Sequence, residues 1–245
     1  MDAPAAAAQG CGGKHIVLVH GACLGGWSWF KVAPALREVP TFRDYTGPLL
    51  ELLASLPDGD RVVLVGHSLG GLSVALAAET FPDKVAAVVF LCAFMPDCAA
   101  RPSHVLEKFV EGKWLEWMDT ELKPQDGEGK LPTSMLFGPR IIREKFTQLC
   151  SPEDVTLMTS LLRPSSMFVE DLVLQQPYTK ERYGSARKVY VVCTEDHAIA
   201  EGFQRWMVEN SPVDEVREIV ADHLVMLSRP SDLVRCLADI ADKYA

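Results

Sequence analysis

Val62-Val63-Leu64-Val65 runs without a break into Gly66-His67-Ser68-Leu69-Gly70-Gly71, and an alanine-rich stretch from Leu72 to Ala78 follows. Four consecutive apolar residues, three of them β-branched, read as a strand buried on both faces. Leu72, Val74, Ala75, Ala77 and Ala78 form the apolar face of a helix. Between the two, G-x-S-x-G is the pattern of a tight strand–turn–helix with a serine at its apex. The turn strains the serine backbone, and the flanking glycines let strand and helix pass closely. The helix start behind Ser68 favours negative charge beside the hydroxyl. Ser68 is therefore a candidate nucleophile.

Working outward, further β-branched runs occur at His15–Val19, Val85–Leu91 and Val189–Val192, with a weaker one at Val216–Val220. Helical patterns separate them: Leu49, Leu50, Leu52, Leu53 and Leu56 before the second run, and Leu233–Ala241 at the end. Near-continuous apolar strands alternating with helices predict an α/β fold, a mostly parallel sheet with helices on both faces. The rhythm stops between Asp97 and Gly184, where no strand run is visible. That segment reads as a cap insertion at about 97–184 within one domain, 14–245. A helical layer with no site beneath it is the other reading. Residues 1–13 read as a flexible tail, and Gln125–Lys130 as an exposed loop.

The 245 residues carry 24 Lys+Arg against 33 Asp+Glu, a formal charge of −9. No basic cluster offers a phosphate-binding surface, so no nucleic acid partner is expected. The longest apolar run, Val85–Met95, is too short for a membrane span of about twenty residues, and no membrane association is expected. The N-terminus lacks the basic start and apolar run of a signal peptide. Seven scattered cysteines without a C-x-x-C argue for free thiols, a cytoplasmic location and no structural metal.

A serine hydroxyl needs a base to take its proton and a third group to orient that base. Behind an elbow of this kind the order is Ser, then Asp or Glu, then His, each after a later strand. Val189–Val192 leads into Cys193-Thr194-Glu195-Asp196, and the weak last strand into Ala221-Asp222-His223. Asp196 is the candidate acid with Glu195 as rival, and His223 the candidate base. Asp222 reads as a solvated or structural carboxylate, and His197 sits too close to Asp196 to bridge to Ser68. The first strand ends in Val19-His20-Gly21-Ala22-Cys23. There the N–H of Ala22, with that of Leu69, is positioned to form an oxyanion hole.

Several stretches together resemble the plant methylesterase family, which includes salicylic-acid-binding methyl esterases and polyneuridine aldehyde esterase and is related to the hydroxynitrile lyases. They are HGACLGGWSWFK (20–31), VGHSLGG (65–71), VVFLCAFMPD (88–97), PTSMLFGPR (132–140), QLCSPED (148–154), LLRPSSMFVEDL (161–172), VCTED (192–196) and ADHLVML (221–227). The resemblance spans nearly all of Lys14–Ala245. It implies an α/β-hydrolase fold with a helical cap, cofactor-free hydrolysis of a small-molecule ester such as methyl salicylate, methyl jasmonate or methyl indole-3-acetate, and a triad on Ser68, Asp196 and His223. It puts Gly21, Leu24, Trp117 and Leu224 at the substrate pocket, with ordinary cap packing as the other reading of Trp117. The oligomeric state stays open, a homodimer included.

The lyases carry Thr, Cys and Lys where this chain has Gly21, Leu69 and Leu224, which favours the esterase branch. One departure is larger. After Val39 the chain passes straight to Pro40-Thr41-Phe42, where relatives have a further strand and an active-site loop. The expectation is a sheet lacking one edge strand, with His15–Val19 exposed as the edge. An impaired enzyme that only binds a hormone or its acid is the alternative this departure raises.

Overall fold

The computed structural model describes residues 15–23, 41–124 and 133–245. The expected tail 1–13, Leu24 and the loop Gln125–Lys130 lie outside the described residues.

Strand β1 (His15–Val19) is followed by α1 (Phe42–Ser55), whose Thr41 N-cap accepts a hydrogen bond from the Asp44 N–H. Helix α1 begins well before the expected leucine face, with Phe42 buried at its first position. It buries Leu49, Leu50 and Leu53 and leaves Leu52 largely exposed. Strand β2 (Val62–His67) leads into α2 (Gly70–Thr80), and β3 (Val85–Leu91) comes next. Both strands are buried along their whole length, as their uniform hydrophobicity requires.

From β3 the chain leaves the sheet for almost a hundred residues. It forms α3 (His104–Glu111), β4 (Glu121–Lys123), β5 (Ser134–Leu136) and α4 (Pro139–Ile141), which runs into one π-helical turn, Ile142–Phe146. Then follow α5 (Pro152–Leu161), β6 (Ser165–Ser166) and α6 (Val169–Leu172). The expectation of a strand-free segment is corrected here: β4, β5 and β6 pair as a small antiparallel sheet. Its strands are two or three residues long and built from Glu, Lys, Leu, Met and Ser. They carry neither β-branched runs nor alternation, and so leave no signal in the sequence.

The chain returns with β7 (Lys188–Cys193), α7 (Glu201–Asn210), β8 (Glu215–Ile219), α8 (Val225–Ser228) and α9 (Pro230–Tyr244). The main sheet has the order β1-β2-β3-β7-β8, every neighbouring pair parallel. Side chains of β2, β3 and β7 alternate between two cores. Leu64, Phe90 and Tyr190 join the side of α1, α2 and the cap, while Val63, Val89 and Val191 join the side of α9. Strand β8 departs from the expected continuous run. It alternates in burial, and Val216 and Val220 stay exposed, as suits an edge strand with one covered face. Among the described residues β1 pairs with β2 alone, which makes it the other edge of the described sheet. No described helix is long and apolar enough to cross a membrane.

All five described strands of the main sheet point the same way, so their C-terminal ends lie along one rim. Ser68 follows β2, Asp196 follows β7 and His223 follows β8.

Candidate active site

The turn after β2 is held by backbone geometry. Ser68 has φ of +55°, a left-handed conformation that costs on the order of 1–3 kcal/mol outside glycine. Its neighbours over-determine it: Ser68 C=O accepts from the N–H groups of Gly71 (3.1 Å) and Phe94 (3.0 Å). A Cβ on Gly66 would stand 2.6 Å from the Gly70 carbonyl oxygen, so only glycine lets α2 cross β2 this closely. A Cβ on Gly21 would stand 2.6 Å from the Ser68 Cβ and 3.1 Å from its Oγ, so Gly21 leaves room for the serine.

Asp196 and His223 meet although 27 residues separate them. The His223 Nδ1–H donates to Asp196 Oδ2 at 2.7 Å, and both side chains are buried. The other oxygen, Asp196 Oδ1, accepts from the N–H groups of Ala198 (2.7 Å) and Ile199 (2.8 Å). Glu195, the rival acid, is exposed, and so is His197. The turn itself is braced by Gln204, fully buried on α7. Its amide accepts from Cys193 N–H (3.0 Å) and donates to the carbonyls of Cys193 (3.1 Å) and Ile199 (2.6 Å). Gln204 carries no motif; a lone glutamine inside an amphipathic helix gives no sequence signal.

His67, inside the elbow, is also engaged with the base. Its Nε2 lies 2.8 Å from the His223 carbonyl oxygen, and a carbonyl can only accept, so the proton sits on Nε2. Nδ1 is then bare and buried without a partner. Burial first, and the nearby His223 second, hold the His67 pKa well below the ordinary value. Cys92 Sγ contacts the same carbonyl at 3.7 Å. His67, Cys92 and His223 bring potential metal-ligand atoms within 4.8 Å of one another, and each of the three residues is already hydrogen-bonded.

Ser68 and His223 both line a small cavity of about 20 Å³ between the rim and the cap. Its walls are Phe94, Phe109, Leu115, Trp117, Phe137, Phe146, Met167, Ala198 and Ile199, with Ala22 and Leu69 beside the serine. Ligand sites run to about 300–1,000 Å³, so the side chains close this cavity down to little more than the room for a water molecule. Trp117 thus lines the cavity and packs edge-on to Phe109 at 6.4 Å. Leu224 is buried next to His223 and is absent from the described lining; its N–H donates to Phe146 C=O at 3.3 Å. Phe94, Phe109, Phe137 and Phe146 were not singled out by sequence, because aromatic residues in a cap read equally well as packing.

Residues 16–235 match the alpha/beta hydrolase family. Salicylic acid-binding protein 2 of Nicotiana tabacum is 48% identical, covering 95% of this chain and 98% of that protein. Methylesterase 1 of Arabidopsis thaliana is 42% identical, covering 94% and 97%. The chain belongs to the plant methylesterase family of α/β hydrolases. The crystal structure of polyneuridine aldehyde esterase superposes with a TM-score of 0.88 at 39% identity, covering 93% of this chain and 99% of that one.

Within this family of carboxylic ester hydrolases the chain is short. The tobacco comparison runs over 256 positions, whereas 95% of 245 residues is about 233, so about 23 positions of that relative have no counterpart here.

Proposed function

We propose that this methylesterase hydrolyses small methyl esters by acyl transfer. Ser68 attacks the ester carbonyl, His223 accepts its proton and later delivers it to methanol, and Asp196 keeps the imidazole in the required tautomer. The N–H groups of Ala22 and Leu69 stabilise the tetrahedral oxyanion. Water, deprotonated by His223, then releases the free acid. No step calls for a cofactor or a metal ion. The observation that carries the reading is the 2.7 Å His223–Asp196 bond, placed with a left-handed Ser68 in one apolar cavity.

The described lining is aromatic and aliphatic and carries no cationic side chain, which favours a neutral ester with a flat or apolar acyl group. Methyl salicylate, methyl jasmonate and methyl indole-3-acetate are the esters to screen, with Ser68→Ala as control. The expected result is turnover of at least one ester and loss of it in Ser68→Ala. Retained turnover in that variant overturns the assignment of the nucleophile.

The missing positions favour a second reading, a protein that binds the acid and turns over little. Tight salicylate binding without an acyl-enzyme burst would select it.

A further inference from the structure

The turn carrying His223 is gripped from the cap as well as from the acid side. Asp222 is fully buried, and three donors meet its two oxygens. Ser228 Oγ donates to Oδ1 at 2.6 Å, while Leu149 N–H (2.8 Å) and Cys150 Sγ (3.4 Å) reach Oδ2. Burial first and the Asp222 charge second push the Cys150 thiol up, which keeps it in the S–H form that donates. On the other side of His223, Leu224 N–H donates to Phe146 C=O at 3.3 Å. The Phe146 ring stands edge-on to the His223 ring at 5.0 Å and lines the cavity. One short cap segment, Phe146–Cys150, therefore holds the residues before and after His223 while touching its ring and the cavity.

A carboxylate buried this deeply is unfavourable unless donors satisfy it, and space-filling alone is better done by an apolar side chain. General-base catalysis, by contrast, depends on keeping the imidazole within reach of both Asp196 and Ser68. We infer that Asp222 is a positioning residue for ester hydrolysis: it ties the His223 turn to Leu149 and Cys150 of the cap, so that the imidazole stays aligned once the cavity is filled. The inference rests on reading Ser68, Asp196 and His223 as the triad.

Asp222→Asn keeps the side-chain size but turns an N–H₂ group toward one set of donors. Turnover of the best methyl ester is measured per active site titrated with a fluorophosphonate. A fall in kcat of about 10- to 100-fold is expected, the scale of a misplacement near 1 Å, with KM essentially unchanged. The low-field proton resonance of the His223 Nδ1–H should shift or broaden in the same variant, which a loss of overall stability alone would not produce. Ser228→Ala, which removes one donor only, should move kcat and the resonance the same way by less, and it stands in if Asp222→Asn does not fold. An unchanged kcat per titrated site with an unchanged resonance, or a loss confined to KM, overturns the inference. Ser68→Ala run alongside separates the two readings. If it keeps turnover, the triad fails; if it is inactive while Asp222→Asn matches wild type, only the role of Asp222 fails.

Discussion

The elbow around Ser68 and the cap around Trp117 face each other across one cavity, but they are specified differently. At the elbow the backbone decides: Gly66 and Gly21 are spacers whose Cβ atoms would collide, and Ser68 sits left-handed between fixed carbonyls. In the cap the cavity wall is made by side chains, a set of rings packed edge to face or tilted against one another. A backbone solution is all-or-none, because a clash at 2.6 Å leaves nothing to relax. A packed aromatic wall can exchange one ring and persist. On the proposed mechanism, chemistry sits on the rigid side and substrate choice on the adjustable one.

Three measurements can break or sharpen that contrast. Gly66→Ala should have the largest effect, since its Cβ meets the Gly70 carbonyl at 2.6 Å and the Val74 Cγ2 at 2.7 Å. Overpacking of this kind costs about 1–3 kcal/mol or more, and it displaces Ser68 as well. Thermal unfolding and esterase turnover should both suffer, and a fully active, equally stable variant would contradict the backbone account.

Trp117→Ala comes next. Truncating a half-exposed ring on the adjustable side should lower kcat/KM by about tenfold through KM, the scale of a lost apolar contact in a pocket. The loss of the Phe109 pair should cost only about 0.5–1.5 kcal/mol of stability. A collapse of kcat with KM intact would instead place Trp117 on the chemical side.

The last measurement concerns pH. His67 is held neutral in the folded protein, its pKa lowered by burial, and His20 is lowered for the same leading reason. The unfolded chain takes up protons at both positions below about pH 6.5, whereas the folded chain takes them up only at lower pH. Their contribution to stability is therefore complete above that pH and declines as pH falls. For one such histidine the slope approaches about 1.4 kcal/mol per pH unit. Denaturant unfolding at pH 7 and pH 5 should show a smaller loss for His67→Gln than for wild type; equal losses would mean His67 titrates normally.

Much of this was legible in the residues. The main strands announced themselves by uniform hydrophobicity, because burial on both faces leaves no room for polar alternation. Ser68, Asp196 and His223 could be placed by order and strand ends, and Asp196 was preferred over Glu195 before burial distinguished them. The cap sheet was not legible, since strands as short as Ser165–Ser166 carry no pattern. Leu224 and Gly21, expected at the pocket, lie buried beside the base and against the serine respectively.

By itself the sequence determined what depends on local backbone rules: a glycine-flanked serine between strand and helix, parallel buried strands, and an acid and a histidine after the last two. Only the tertiary structure decided which groups hold those residues in register. Gln204 reaches the Asp196 turn from the following helix, His67 reaches the His223 carbonyl from 156 residues away, and Asp222 collects donors from the cap. Such bonds join positions far apart in the chain, and side-chain hydrogen bonding over that distance has no period or spacing to betray it.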